Sequence, residues 1–471
     1  MKVEQLFTGC LAEMAYYIES NGEVAIVDPL RETEPYLEMA KADGAKIKYI
    51  FLTHFHADFV SGQVDLAKAT GATIVFGPSA KAEYDIYEGT DGELFPIGNI
   101  NLKLLHTPGH TMESISLVVI DKNGNTPYLL SGDALFIGDV GRPDLAVKSD
   151  LTQADLAGHL FDSLRNKIMP LPDDIIVYPN HGAGSACGKN MSSETFDTLG
   201  NQKKTNYALR ADMTKEEFIV EVTTGLKPPP QYFGNNVRMN KGVNISIDEI
   251  LHRGATPIDA DTFKEMSEQK DVLVIDTRSK EIYAEEGTVP GAWYIGVDGN
   301  FAPWVGALIK EIDQKIIFIA EGGREHEVVT RFSRVGYDNT IGYLRGGMHA
   351  WKAAGHKFDQ IGSISAIQFS NRLKDGTMEV PVDVRKETEY QSEHVVGVAN
   401  FPLDDIHANF AEIDPNKEYF LHCASGYRSL IAASIFQANG VAKVTDVRGG
   451  FDDIKDSGVE LTEYVCPTTL L

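Results

Sequence analysis

The first half of the chain carries clusters of side chains that are able to bind a metal ion. A His-x-His-x-Asp segment comes first, and single histidines and an aspartate follow it along the chain. Imidazole and carboxylate groups are the ligands that zinc and iron use in proteins. Scattered loop residues are the alternative, but four clusters that each follow an apolar run indicate one shared site. The candidates are His54, His56, Asp58, His110, Asp133 and His181.

The last quarter of the chain places a cysteine where nucleophilic chemistry is favoured. The apolar run 419–422 ends at Cys423, a short loop leads through Arg428, and a helical pattern covers 430–437. Backbone N–H groups at a helix N-terminus and a nearby guanidinium both favour a thiolate. Such a thiolate can accept a sulfane sulfur and hold it as a persulfide. A buried structural cysteine is the alternative reading.

Short apolar runs bounded by turn residues predict the strands that position these groups. Because strand ends on one edge of a sheet converge, the clusters that follow them are expected to meet. Helical spacing predicts helices over 60–70 and 151–169. Strands mixed with helices, with polar chemistry at the strand ends, indicate an α/β or α+β sandwich. The strands that precede the clusters are predicted at 47–53, 101–105, 127–130 and 175–178.

The second half of the chain contains the same landmarks twice. An apolar strand that ends in Asp-x-Arg occurs at 272–278 and again at 380–385. Arg-Gly-Gly occurs at 345–347 and at 448–450, and a glycine segment lies between the two landmarks in each copy. Matched landmarks in the same order predict a tandem duplication of a domain of about 100 residues. A proline run at 228–230 marks the approach to the boundary.

Composition excludes several classes of protein. Among 471 residues, 43 are basic and 68 acidic, which gives a net charge of −25 and disfavours binding to nucleic acid or anionic membranes. The apolar fraction of 43% suffices for ordinary globular cores. Four cysteines lie far apart without a Cys-x-x-Cys pair, which predicts free thiols. The charged N-terminus lacks the apolar core of a signal peptide. We therefore expect a cytoplasmic protein.

The ordered metal-competent residues resemble those of the metallo-β-lactamase superfamily, over about residues 1–245. The resemblance implies an αββα sandwich with the metal site on one edge. The binuclear hydrolases of that superfamily have a further histidine directly after the aspartate, and here the position is Phe59. A phenyl ring cannot ligate a metal, so this departure favours a single ion.

The departure also divides the candidate ligands into two groups. His54, His110 and Asp133 then form the 2-His-1-carboxylate set that suits mononuclear Fe(II) and O2. Zinc is the alternative cofactor. The remaining residues orient ligands or waters, or serve as alternative metal ligands; they are His56, Asp58 and His181.

Two further segments, 131–144 and 181–188, resemble persulfide dioxygenases of the ethylmalonic encephalopathy type and their fusions to rhodanese domains. Within the first segment, Arg142 either pairs with an anionic group of the substrate or caps its own loop. Within the second, Cys187 follows His181 by six residues. Its thiol either faces the pocket and takes part in catalysis or is a small inert core residue.

The repeats resemble the rhodanese sulfurtransferases. The second repeat, 362–471, has the cysteine loop that Arg428 closes, so Cys423 and Arg428 are its expected catalytic residues. The first repeat, 255–360, has Glu321 or a neighbour in place of the cysteine, in a loop shorter by about two residues. A carboxylate cannot carry persulfide sulfur. We expect a structural or docking role there, with a second regulatory activity as the alternative.

Together the resemblances imply an α/β multidomain enzyme, a metallo-β-lactamase sandwich followed by two α/β rhodanese domains. Its reaction would be the oxidation of a low-molecular-weight persulfide, such as glutathione persulfide, by O2 to sulfite. The rhodanese would then transfer sulfur, giving thiosulfate. The expected partners are persulfide, O2 and sulfite or thiosulfate, without nucleic acid or membrane; a homo-oligomer is left open. Two alternatives remain: a zinc thioester hydrolase of glyoxalase II type fused to a sulfurtransferase, and a non-catalytic sulfur carrier.

Overall fold

The structure is a computed structural model that describes residues 1–147 and 151–466. The chain forms two compact units. Among the described residues, none of the helices combines the length and the apolar character that crossing a bilayer requires. The units are Met1–Ile247 with Ser333–Gly336, and Asp248–Phe332 with Tyr337–Leu471.

A six-stranded sheet opens the first unit. Its spatial order follows the chain, with antiparallel pairing in its first three strands and parallel pairing in the rest. The strands are Lys2–Thr8 (β1), Glu13–Ser20 (β2), Glu23–Val27 (β3), Lys46–Phe51 (β4), Thr73–Phe76 (β5) and Tyr87–Glu88 (β6). The helices Glu34–Ala42 (α1) and Gln63–Thr70 (α2) connect the parallel strands. Helix α2 lies within the predicted range 60–70.

A second six-stranded sheet completes the unit. Its strands are Leu94–Ile97 (β7), Ile100–His106 (β8), Ile115–Ile120 (β9), Tyr128–Gly132 (β10), Ile176–Pro179 (β11) and Asp197–Thr198 (β12). The helices are Gln153–Ser163 (α3), Leu199–Thr205 (α4), Lys215–Thr223 (α5) and Phe233–Lys241 (α6). The helix predicted over 151–169 is α-helical only to Ser163, and it continues as a π-helical turn over Leu164–Ile168.

The two sheets bury a common apolar core. Phe51 and Val75 from the first sheet join Leu102, Leu117 and Leu130 from the second in one cluster. Strand β8 alternates between buried and partly exposed residues along most of its length, as a strand with one face in a core does. Separate apolar clusters lie beneath the helices on the outer face of each sheet. The predicted αββα sandwich is confirmed.

The second unit begins with a five-stranded parallel sheet in the order β13-β17-β16-β14-β15. Its strands are Pro257–Ile258 (β13), Val272–Asp276 (β14), Trp293–Tyr294 (β15), Lys315–Ile319 (β16) and Thr340–Leu344 (β17). The helices are Ile247–Gly254 (α7), Ala260–Ser267 (α8), Lys280–Glu286 (α9), Phe301–Leu308 (α10), Glu325–Arg334 (α11) and Gly347–Ala353 (α12).

The same topology then occurs again, in the order β18-β22-β21-β19-β20. The strands are Gly362–Ile364 (β18), Val380–Asp383 (β19), Ala399–Asn400 (β20), Glu418–His422 (β21) and Lys443–Val447 (β22). The helices are Ala366–Lys374 (α13), Glu387–Ser392 (α14), Ile406–Asn409 (α15), Tyr427–Ala438 (α16) and Gly450–Lys455 (α17). Because each strand has its counterpart in the first sheet, the predicted duplication is confirmed.

The repeated Asp-x-Arg landmark has a structural role in both copies. Arg278 pairs with the buried Asp276 at 2.6 Å, and Arg385 pairs with the buried Asp383 at 2.7 Å. Each guanidinium also donates a hydrogen bond to a backbone carbonyl of the following segment. The guanidinium of Arg385 additionally lies 3.7 Å from the ring centroid of Phe451. The landmark therefore holds the end of a central strand against its neighbouring loop.

Candidate functional site

Three of the predicted metal ligands converge at the strand ends of the first unit. His54 follows β4, His110 follows β8 and Asp133 follows β10, and all three are buried. Nε2 of His54 lies 3.9 Å and Nε2 of His110 lies 3.4 Å from Oδ2 of Asp133. One ligand atom from each residue lies within 4.8 Å of the other two. These distances suit two imidazoles and one carboxylate around a single cation.

The other three predicted residues form an adjacent group. Ligand atoms of His56, Asp58 and His181 also lie within 4.8 Å of one another. Nε2 of His181 is 3.4 Å from Oδ2 of Asp58 and 3.7 Å from Oδ2 of Asp133, so Asp133 borders both groups. The ring centroid of Phe59 lies 4.3 Å from that of His56, and Phe59 is fully buried. An apolar ring thus occupies the edge of this group.

The polar atoms of this cluster fit a metal ion. Several of them are buried and find no hydrogen-bond partner among the residues that the structure describes. Unpartnered buried acceptors are costly, and a bound cation would satisfy them. The atoms are Nε2 of His54, Nδ1 of His56, both carboxylate oxygens of Asp58 and of Asp133, and Nε2 of His181.

Electrostatics keep two of the imidazoles in the form that binds metals. Burial lowers the pKa of His54 well below its usual value, and the neighbouring histidines lower it further. Burial also lowers the pKa of His110, although Asp133 opposes this. Neutral imidazole is the ligating form, so both residues are ready to bind. His56 differs: burial disfavours its charge, but the carboxylates of Asp28, Asp58 and Asp133 together raise the pKa of His56.

Asp28 is a further residue of the site and is not among the predicted ligands. It is fully buried directly after β3, and its Oδ1 accepts the backbone N–H of Thr53 and lies 2.8 Å from Nε2 of His56. Its Oδ2 accepts a hydrogen bond from the amide of Asn180. Asp28 therefore orients the segments that carry the histidines. The sequence feature that could have identified Asp28 is its position directly after an apolar strand, which it shares with the predicted ligands.

Arg142 is occupied by its own loop. Its guanidinium makes a two-pronged ion pair with Asp144, at 2.6 and 2.7 Å, and donates hydrogen bonds to the carbonyls of Ala186 and Lys227. The carbonyl of Arg142 lies 2.9 Å from Nδ1 of His110 and so orients that ring. Of the two roles considered for Arg142, this geometry favours capping of the loop over contact with the substrate.

Cys187 lies beside the metal-competent cluster. It is buried, and its Sγ lies within 4.8 Å of ligand atoms of Asp133 and His181. Burial raises the pKa of the Cys187 thiol well above its usual value, and the carboxylates of Asp58 and Asp133 add to this. In the absence of a cation the thiol is thus protonated. The thiol therefore lies beside the cluster, and a catalytic role for it stays a prediction.

A cavity of about 160 Å³ adjoins the cluster in the first unit. His110 contributes to its wall together with apolar side chains such as Phe55 and Met112. Lys241 supplies a positive charge, with its Nζ 5.0 Å from the ring centroid of Phe55. Glu113 also lines the cavity, so the wall carries one carboxylate beside the one cation. Such a cavity next to a metal-competent histidine is suited to a small organic molecule with polar ends.

The second unit places Cys423 where the sequence predicts it. The residue follows β21 and precedes α16, and it is 1% exposed. Its Sγ accepts the backbone N–H of Gly426 at 3.2 Å and lies 3.5 Å from Oγ of Ser429. Gly426 adopts φ +92°, a conformation that glycine tolerates best. The backbone N–H at the N-cap of α16 is thereby directed at the sulfur.

Two neighbouring segments hold the cysteine loop. Arg428 pairs with Glu389 at 2.6 and 2.8 Å, so its charge is shared with a carboxylate. The carbonyl of Cys423 accepts the backbone N–H of Phe451 at 2.6 Å. A side chain at Gly450 would meet the carbonyl oxygens of Cys423 and Ala424 at 2.5 Å. The second glycine of this landmark is thus required by the close approach of two backbones in this repeat.

The equivalent loop of the first repeat is built around a carboxylate. Oε1 of Glu321 accepts the backbone N–H of Ser279 at 2.9 Å. Arg324 pairs with Asp298 and with Glu327. These contacts hold a loop that has no sulfur nucleophile in its sequence. A non-catalytic role for this loop stays a prediction.

Family models match both parts of the chain that carry the candidate site residues. The model of the metallo-beta-lactamase superfamily matches residues 8–181. The model of the rhodanese-like domain matches twice, at residues 259–354 and 365–457. The first match contains every predicted metal ligand, and the last contains Cys423 and Arg428.

Three individual proteins illustrate the similarity. The probable hydroxyacylglutathione hydrolase glo2 of Schizosaccharomyces pombe is 30% identical over 200 residues, which are 42% of this chain and 73% of that protein. The mitochondrial persulfide dioxygenase ETHE1 of Homo sapiens is 27% identical over 233 residues, 49% of this chain and 83% of that protein. A crystal structure of a metallo-beta-lactamase from Staphylococcus aureus matches with 31% identity and a TM-score of 0.62, over 73% of this chain and 98% of the other. This last match extends further than the first unit alone.

Proposed function

This chain belongs to the metallo-β-lactamase superfamily and carries two rhodanese-like domains, and we propose that it is a persulfide dioxygenase with sulfurtransferase activity. The observation that carries the proposal is the pairing of two sites in one chain. The first unit has a cluster of two histidines and one aspartate, and the second has a cysteine at a helix N-terminus. The proposed reaction is R–SSH + O2 + H2O giving R–SH and sulfite, where R–SH is glutathione or another low-molecular-weight thiol.

His54, His110 and Asp133 are the proposed ligands of one Fe(II) ion, which would supply open positions where O2 and the persulfide react. The carbonyl of Arg142 orients the ring of His110. Asp28 holds His56 in place beside the cluster. These contacts preset the cluster before any metal binds, as carboxylate and carbonyl partners of ligating histidines do elsewhere.

The cavity beside His110 is the proposed place of the persulfide substrate. Its apolar walls exclude water from the reacting sulfur, and Lys241 offers a partner for a carboxylate of the thiol carrier. Cys187 lies on the cluster side of the site, where its thiol can exchange with the substrate persulfide or position it. We keep its catalytic role as a proposal.

Cys423 is the proposed sulfur carrier of the second repeat. Its thiolate attacks the outer sulfur of a persulfide, the S–S bond breaks, and the thiol carrier leaves with the electron pair. Sulfite then attacks the persulfide on Cys423, which gives thiosulfate and regenerates the thiolate. A cytoplasmic location is part of the proposal, and the four free cysteines support it.

The test couples metal analysis to oxygen consumption. Protein purified without oxygen should contain one equivalent of iron, and it should consume O2 when glutathione persulfide is added. A persulfide-dependent uptake with sulfite as product supports the proposal. No uptake by the iron-loaded protein would favour a non-catalytic sulfur carrier.

A thioester hydrolase of glyoxalase II type is the second candidate. It is favoured by the 30% identity to the Schizosaccharomyces pombe hydrolase and by the adjacent group of His56, Asp58 and His181. Phe59 argues against a second metal because it lies where a further ligand would be needed. Two equivalents of tightly bound zinc together with hydrolysis of S-lactoylglutathione would establish this alternative.

A further inference from the structure

One peptide group joins the sulfur of Cys423 to the repeat that has no cysteine. The backbone N–H of Gly426 donates to Sγ of Cys423 at 3.2 Å. The carbonyl of the same peptide group belongs to Ser425, and it accepts a hydrogen bond from Nζ of Lys280 at 3.1 Å. Lys280 is the first residue of α9, in the first repeat. Its ammonium group therefore binds one end of a peptide group whose other end contacts the sulfur.

We propose that Lys280 is a positioning residue for Cys423 and that it acts through the Ser425–Gly426 peptide group. Because a peptide group is planar, fixing its carbonyl also fixes the direction of its N–H. Hydrogen bonds in series polarise one another, so a cation at the carbonyl strengthens the N–H as a donor. A hydrogen bond to an ionised acceptor is stronger than one to a neutral acceptor, so this donor favours a thiolate at Sγ.

The backbone of the cysteine loop needs a contact from outside the loop. Gly426 has φ +92°, and glycine restricts its own backbone least, so the peptide group before it turns easily unless another group holds it. The first repeat also holds the start of α16, because the hydroxyl of Tyr427 donates to the carbonyl of Gly296 at 2.7 Å. A side chain at Gly299 would meet the ring of Tyr427 at 2.3 Å. The first repeat thus contacts the second repeat on both sides of Gly426.

The loop without a cysteine in the first repeat supports the position of Lys280. Oε1 of Glu321, in that loop, accepts the backbone N–H of Ser279 at 2.9 Å. Ser279 is the N-cap of α9, and its hydroxyl accepts the backbone N–H of Ile282. These two contacts fix the first turn of α9, where Lys280 begins. Glu321 therefore gives the first repeat a part in sulfur transfer although that repeat has no nucleophile of its own in this loop.

The charge of Lys280 is only weakly compensated. Its ion pair with Glu281 spans 4.0 Å, and both side chains are exposed. Arg428, in contrast, shares its charge with Glu389 through two hydrogen bonds of 2.6 and 2.8 Å. Lys280 therefore brings a positive charge to the cysteine loop that the Arg428–Glu389 pair does not supply.

A buried carboxylate that titrates near neutral pH also interacts with Lys280. Asp446, on β22, is 4% exposed, and burial raises its pKa to about 7, which Lys280 and Arg448 oppose. His422 precedes Cys423, and burial lowers the pKa of His422, which favours its neutral form. Because loss of Lys280 also changes the charge of Asp446, the pH dependence of Cys423 has to be compared with and without that carboxylate.

The test measures how fast iodoacetamide alkylates Cys423 in the full-length protein between pH 5 and 9.5, with the Cys423 peptide quantified by mass spectrometry. Lys280→Met should raise the pH midpoint of alkylation by about 0.3–0.7 unit, which slows alkylation about two- to fivefold below the midpoint. Lys280→Arg keeps a charged donor for the carbonyl of Ser425 and should restore the midpoint. An unchanged midpoint in Lys280→Met, or an equal slowing at every pH, would overturn the proposal.

Two comparisons separate this effect from other effects of charge. Lys264→Met is the matched control, because this exposed lysine lies on α8 of the same repeat and pairs with Glu268; its curve should match that of the unaltered protein. Lys280→Met is also measured in an Asp446→Asn background. A shift that persists there supports action through the peptide group. A shift that disappears there assigns the effect to Asp446 and overturns the proposal.

Glu321→Ala tests the same contact without changing Lys280, and so keeps the test decisive if Lys280→Met fails to fold. Loss of the contact with Ser279 should move the midpoint in the same direction as Lys280→Met and by a smaller amount. Combined with Lys280→Met, it should add no further shift, because both changes act on one contact. An unchanged midpoint in Glu321→Ala, or fully additive shifts, would overturn the supporting role of Glu321.

The proposal rests on the proposed sulfur-transfer function of Cys423, and the two are tested separately. Sulfur transfer from thiosulfate to cyanide is measured in parallel, and alkylation does not depend on that activity. Absence of transfer together with the expected alkylation shifts counts against the proposed function and supports the positioning role of Lys280. Normal transfer together with an unchanged midpoint in Lys280→Met overturns the positioning role alone.

Discussion

Removing the metal ion is expected to destabilise the first unit and leave the rhodanese-like domains unaffected. Asp58 and Asp133 are buried, and among the described residues their four carboxylate oxygens have no hydrogen-bond partner. A cation offsets this buried negative charge in the folded state only, because the unfolded chain does not hold the ligands together. Chelation, or replacement of His110 or Asp133 by alanine, should therefore lower the thermal stability of this unit.

The size of the effect follows from mass action. At a free metal concentration of 100 times Kd, binding contributes about 2.7 kcal/mol to the free energy of unfolding. In a unit of this size, 1 kcal/mol shifts Tm by roughly 2–4 °C. Chelation should thus lower the Tm of the first transition by roughly 5–11 °C.

The assay is differential scanning calorimetry of the anaerobically purified full-length protein, with and without a chelator, alongside metal analysis. Asp133→Ala should contain no iron, should stop O2 uptake and should show no response to the chelator. Asp162→Ala is the matched control, because this exposed aspartate pairs with Lys215 away from the cluster; it should respond like the unaltered protein. A chelator response retained in Asp133→Ala would refute the reasoning. Two equivalents of tightly bound zinc would refute the single iron ion.

Four further predictions concern the sulfur residues and the second unit. Cys423→Ser should abolish sulfur transfer from thiosulfate to cyanide and keep persulfide-dependent O2 uptake; full transfer activity would mean that another thiol carries the sulfur. Cys187→Ser should retain iron and change the rate or the product ratio of persulfide oxidation. If the kinetics are unchanged, and mass spectrometry of persulfide-treated protein finds label only on Cys423, then Cys187 is a packing residue. Arg385→Met should cost about 3–5 kcal/mol in urea unfolding because it leaves the carboxylate of Asp383 buried without its partner, and a loss below 1 kcal/mol would contradict this. Because the pKa of Asp446 is raised in the folded state, that state binds the proton more tightly than the unfolded chain, and stability falls as pH rises toward 7. Asp446→Asn should remove that fall, so equal changes in urea midpoint between pH 5 and 8 in both proteins would contradict the assignment.

Much of the candidate metal site was predictable from the sequence. Each of its six residues follows an apolar run, and apolar runs of this kind form buried strands whose ends meet on one edge of a sheet. Phe59 was informative about the number of metal ions, because its place in the motif is defined by its spacing from His54. The duplication was also predictable, because the Asp-x-Arg pair holds a strand end in both copies and both glycines of the Gly-Gly landmark have positive φ in both copies.

Only the tertiary structure decided which partner each charged group takes. The sequence offered two roles for Arg142, and the choice depends on Asp144 and two carbonyls, one of them 85 residues away. Arg428 is paired with Glu389, which lies in another helix. Such pairs join side chains that are distant along the chain, and a pattern of residue types has no information on their separation in space.

The same limit applies to the environment of Cys423. Its loop and helix are local features, so residue types and spacing determined them. The contact of Lys280 with the cysteine loop depends on how α9 of the other repeat meets that loop. The burial of Asp446 depends on how the helices pack on β22. Burial then sets the charge of Asp446, and burial is a property of the packed molecule. The sequence by itself determined which groups could do chemistry, and packing decided their protonation and their partners.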